Sequence, residues 1–193
     1  MAHCKTPYKI ALFAAALLSL TAGISYAVED DFGPAKTIEG KYFTIYYSSQ
    51  IDASILAPQL NIQPADEIST GKSPQKESPT GSELADMTDT LFLQVSDILD
   101  MHLYSFQGKI KICADDAQID RIYSTLFNAS LHHRKSFYVY SLNTIYISLD
   151  NFKREILGHE MAHAIINHYF VVQSPVKIQE ILAMYVEYQL RKE

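Results

Sequence analysis

The chain has 193 residues, 48% hydrophobic and 20% charged, enough apolar material for a buried core and too much for a disordered polymer. Its 16 basic and 22 acidic residues give a formal net charge of −6, which excludes the basic footprint of a nucleic-acid-binding domain.

Residues 1–27 have the layout of a secretory signal peptide. Lys5 and Lys9 lie in a short basic start, and Ile10 to Ile24 form an apolar stretch. Ser25-Tyr26-Ala27 then puts small residues at −3 and −1 of a cleavage site, so Val28 becomes the first mature residue. The apolar stretch is short for a span of roughly 20 residues and is broken by Ser19, Thr21 and Gly23, so no stable membrane span is expected after cleavage. An exported protein, periplasmic or secreted, is expected. Cys4 leaves with the leader. Cys113 remains alone in the apolar run from Ile110 to Ala114 and reads as a small buried hydrophobe, with no intrachain disulfide.

The rest, residues 28–193, reads as one domain. Val28 to Gly40 is an acidic lead-in. Lys41 to Tyr47 is β-branched and aromatic, a strand. Ile51 to Leu60 suits a short helix ending near Asn61. Residues 63–82 are rich in Pro, Gly and polar side chains and form a flexible polar insertion. Glu83 to Tyr104 is a helix: Ser82 can cap it, and Leu84, Met87, Leu91, Val95, Ile98, Leu99 and Leu103 recur at helical spacing. Lys109 to Ala114 is a strand. Asp115 or Asp116 caps a helix to about Phe127. His132-His133-Arg134-Lys135 is a solvated basic loop, because adjacent imidazoles on extended chain point apart and chelate poorly. Ser136 to Tyr140 and Thr144 to Leu149 pair around a turn at Ser141-Leu142-Asn143. The class is α+β with a short mixed sheet.

The next helix, capped by Asp150 or Asn151, carries the chemistry. His159-Glu160-Met161-Ala162-His163 reads H-E-x-x-H. Residues i and i+4 share a helix face, so His159 and His163 can offer two imidazole nitrogens to one ion, with Glu160 beside them. A metal lowers the pKa of its water and a neighbouring carboxylate can take the proton, which is peptide-hydrolysing machinery. Catalytic zinc takes a third protein ligand. His168 is five residues past His163 and fits no such motif; it reads as a helix-end residue. Ser174 and Pro175 start a last helix that buries Ile178, Ile181, Leu182, Tyr185 and Leu190. On it Glu180 lies among apolar neighbours, where a carboxylate needs a compensating cation. Glu187 is the alternative, better explained by an i+4 pair with Arg191.

His159-Glu160-x-x-His163 followed by Glu180-Ile181-Leu182-Ala183-Met184-Tyr185 resembles the gluzincin zinc metallopeptidases, in particular the peptidase-MA-like and minigluzincin proteins. The resemblance implies a small zincin-like domain in which the sheet packs on the H-E-x-x-H helix. It implies Zn²⁺ held by His159, His163 and Glu180, with Glu160 as general base on the zinc-bound water. It also implies a peptide or protein substrate laid along an edge strand, Ser136 to Tyr140. A later subdomain that supplies an oxyanion-stabilising Tyr or His has no counterpart here; Tyr185, His168 and Tyr169 are the candidates. Where some relatives carry an acid orienting a zinc-bound His, this chain has Met184. The alternative function is a non-catalytic zinc-binding module that holds peptides along that edge strand.

Overall fold

The computed structural model describes residues 30–62, 81–130 and 135–192. The expected leader, nearly all of the polar insertion and His132-His133-Arg134 lie outside the described residues.

Five strands form one mixed sheet: β1 Ala35–Glu39, β2 Phe43–Ser48, β3 Gly108–Cys113, β4 Ser136–Val139 and β5 Thr144–Ser148. Their order is β1-β2-β3-β5-β4. The central β2, β3 and β5 run parallel, and β1 and β4 pair antiparallel onto the two edges. The class is therefore α+β with a mixed sheet.

The period-2 alternation of the strands sorts their side chains onto two faces. Ile45, Ile110, Ile112, Ile145 and Ile147 enter the main core. Cys113, Phe137, Val139 and Tyr146 enter a smaller core on the other face. Helix α2 Gly81–Leu99 and helix α4 Arg154–Tyr169 cover the first face, and α5 Val176–Lys192 packs on both of them. Helix α3 Asp116–Phe127 covers the second face through Ile119 and Ile122. The short α1 Leu56–Leu60 closes the end of the main core; Asp52 caps the single 3-10 turn before it. Cys113 is fully buried, as expected of a small hydrophobe, and the burial pushes its thiol far above the usual range.

Several expectations need correction. The lead-in before Gly40 contains β1, an edge strand whose residues are mostly exposed and so carry no hydrophobic pattern. Helix α2 is described from Gly81 onward, so Ser82 lies inside it, and it ends at Leu99 rather than Tyr104. Asp100 takes the left-handed conformation and Met101 N–H bonds back to Ser96 C=O, which closes the helix; Tyr104 is fully exposed. Neither Asp150 nor Asn151 caps α4. They lie in a 3-10 turn, Lys153 is the helix's N-cap, and Asn151 Nδ2 donates to Ser148 Oγ and Asp116 Oδ1 instead.

The largest correction concerns α5. It buries Gln179, Ala183, Val186 and Leu190, whereas Ile178, Ile181 and Tyr185 face outward and Leu182 is only half-buried. At 3.6 residues per turn, the helix is rotated by about a third of a turn from the orientation that Ile178, Ile181, Leu182 and Tyr185 would select.

Candidate metal centre

Helix α4 is buried almost all round, with Leu157, Gly158, Met161, Ala162, Ile165 and Ile166 among its buried residues. Such a helix is held rigidly from several sides. Its approach to α5 depends on Gly158: a Cβ there would lie 2.2 Å from Leu190 Cδ1. Two polar links clamp the pair. Arg154 Nη2 donates to Leu190 C=O at 2.6 Å, and at the other end Asn167 Nδ2 donates to Gln179 Oε1 at 2.8 Å. Asn167 also donates to His163 C=O, and Gln179 to Ser174 C=O, so this buried lock is tied to both helices.

Between the clamps, His159, His163 and Glu180 converge, and their donor atoms fall within 4.8 Å of one another. The two Nε2 atoms are 3.3 Å apart, and Glu180 lies 3.7 Å from each of them through its two oxygens. A tetrahedral ion with bonds of about 2.0–2.1 Å holds its ligand atoms about 3.3 Å apart. The observed spacings sit at or slightly above that value. Two ring nitrogens facing each other at such a distance need a proton or a cation between them. A His₂Glu set of this size could hold a metal ion, zinc by donor type.

Glu187 is more than a partner for Arg191. That pair exists, but Glu187 Oε2 also lies 3.2 Å from His159 Nδ1, the ring nitrogen turned away from Glu180. The ring's N–H direction misses the carboxylate, so His159 Nδ1 is buried without a well-formed hydrogen bond. Sequence reasoning placed Glu187 on the surface because its only visible neighbour was four residues away.

Glu160 is buried at 6% exposure, and Ser136 Oγ on β4 donates to its Oε1 at 2.8 Å. Ser136 had not been singled out; the only signal was its place at the start of the expected edge strand. Both residues line a cleft of about 400 Å³ with His159, His163, Glu180 and Glu187. Strand β4 is the sheet edge on this side, with Lys135 at one end and Tyr140 at the other. Tyr138, also lining, donates from its hydroxyl to Asn143 Oδ1 at 3.0 Å, and burial pushes its phenol well above the usual range.

The chain matches no family model, no curated protein and no solved structure.

None of the three expected oxyanion candidates, Tyr185, His168 and Tyr169, is among the residues lining the cleft, but His168 abuts two that are: its Nδ1 lies 3.4 Å from Tyr138 Oη and its ring centre 5.4 Å from that of Tyr140. His168 occupies the last turn of α4, where Nδ1 lies 2.9 Å from Ala164 C=O.

Proposed function

We propose that the chain is an exported zinc-dependent peptidase of the gluzincin type, cutting peptide bonds within extended polypeptide. The observation that carries this reading is the convergence of His159, His163 and Glu180 beside the buried Glu160, on the wall of a cleft edged by β4.

Zinc held by His159, His163 and Glu180 would supply Lewis acidity toward a carbonyl and toward a water. Glu160 takes the proton from the attacking water and returns it to the departing amine. Ser136 Oγ fixes the direction of that carboxylate. Burial keeps Glu160 away from competing solvent, and Asn167 and Gln179 hold the helix carrying it against the helix carrying Glu180. An extended substrate adds to the sheet along the edge of β4, with backbone hydrogen bonds giving affinity and the cleft reading side chains.

A second reading is a zinc module that holds peptides without cutting them, in which the Ser136 Oγ hydrogen bond serves only to pin the Glu160 carboxylate in place.

The test is direct. Purified protein reconstituted with zinc should carry about one ion per chain. It should cleave unfolded casein, lose that cleavage to a chelator, and lose it in Glu160→Ala while keeping its metal. A chain with no zinc after reconstitution refutes both readings. Stoichiometric zinc with no turnover on any peptide library selects the second.

A further inference from the structure

The outward face of α5 is apolar. Ile178, Ile181, Tyr185 and Tyr188 recur every three or four residues, with Met184 beside them, and all five are between 47 and 61% exposed. The turn before the helix is also apolar and exposed: Val171 is fully exposed, Val172 is 81% exposed, and Tyr169 and Phe170 are exposed beside them in the chain. Monomeric proteins rarely leave so continuous an apolar surface without use.

The charges around this patch select its occupant. The chain has net charge −6, yet residues 161–179 contain no Asp or Glu. The acids described on α5, Glu180 and Glu187, both line the cleft instead. The outward face carries cations: Lys177 near the turn, and Lys192 at the far end with its Nζ 4.1 Å from the centre of the Tyr188 ring. An apolar stripe with tyrosines, lysines at its ends and no acids is the pattern of a helix lying in a lipid interface.

We propose that the outer face of α5 and the Tyr169–Val172 turn seat the protein on an anionic lipid surface. A second copy fits less well. Lys177 and Lys192 are equidistant from the midpoint between Met184 and Tyr185, so antiparallel pairing of two α5 helices sets lysine against lysine, and parallel pairing does the same. The inference is independent of the metal centre, since none of the residues it uses is a metal ligand.

The test is sedimentation of the chain from Val28 onward with vesicles of 3:1 phosphatidylcholine and phosphatidylglycerol. This form keeps every described residue and omits the apolar residues 10–24. Wild type should bind at low salt and weaken in pure phosphatidylcholine and in high salt. Val171→Asp with Val172→Asp should weaken binding at least tenfold, as should Ile181→Glu with Tyr185→Glu. The melting temperature of the first pair should not move, because both residues are outside the core. Wild type left in the supernatant at low salt overturns the proposal, and so do variants that bind as tightly as wild type. A concentration-dependent dimer in sedimentation velocity, abolished by the same substitutions and not recruited by vesicles, overturns it in favour of a self-interface.

Discussion

Glu187 Oε2 stands 3.2 Å from Nδ1 of His159, while its other oxygen receives the guanidinium of Arg191. In a zinc-loaded centre, a carboxylate bonded to the far ring nitrogen of a ligating histidine fixes the imidazole and makes it a better donor. We expect Glu187→Gln to weaken zinc binding by about 10–100-fold without abolishing it. Arg191→Ala should give a smaller loss in the same direction, since it only steadies the carboxylate. Competition against a chelator of known affinity measures both. Equal zinc affinity in Glu187→Gln and wild type would mean that the contact plays no part in holding the ion.

Gly158→Ala should destabilise the fold by about 1–3 kcal/mol, because the new methyl meets Leu190 and the close helix pair must open. Shortening the obstacle should restore part of the loss, so Gly158→Ala with Leu190→Ala should cost less than the two single changes added together. Urea unfolding of the four proteins gives the coupling. Strict additivity would place the strain elsewhere.

That Glu180 comes beside His159 and His163 was legible, because a short connection folds its helix back along α4; the apolar surroundings expected of it were not found, since its side chain is 36% exposed and Ile178 and Ile181 face outward. The role of Glu187 was not legible, because its contact with His159 depends on how α5 is rotated. Hydrophobicity pointed to Ile178, Ile181 and Tyr185 as the buried face, whereas the smaller Ala183 and Val186 fit closely against α4 and turn both acids toward the imidazoles. Strand β1 was hidden for another reason. It makes its ladder with backbone groups alone, so solvent-exposed Lys36, Thr37 and Glu39 carry no alternation. The strands that flank the core on both faces announced themselves through Ile and Tyr.

Asp30 anchors the segment before β1 to the back of the sheet. Lys111 Nζ and Tyr146 Oη donate to its carboxylate, and Phe32 N–H donates at 3.3 Å. Burial alone would raise its pKa, but these donors and the Lys111 charge together hold it below the usual range. Below the unfolded carboxylate value of about 3.9, the unfolded chain takes up a proton that the folded one resists. The stability that Asp30 contributes is therefore present above that pH and is lost as the pH falls through its depressed folded value. Asp30→Asn should cost on the order of 3 kcal/mol at pH 7 and flatten this acid limb. Urea titrations at pH 7 and pH 3 compare the two; an unchanged pH dependence would remove Asp30 from the account.

Cys113 should be inert in the native protein. Its side chain is fully buried and burial keeps it as the thiol, so a disulfide reagent added at pH 8 should find no reactive sulfur among the described residues until denaturant is present. Rapid labelling of Cys113 itself without denaturant would show that the smaller core opens on its own.

All the residues lining the cleft fall between Lys135 and Glu187. A ribosome delivers β1, β2 and β3 before any of them exists. At about 5–20 residues per second, the 17 residues from Ala164 to Glu180 take roughly one to three seconds to appear. During that interval the nascent chain holds two imidazoles without their carboxylate partner. The order of synthesis thus withholds the full donor set until every described strand of the sheet has been delivered.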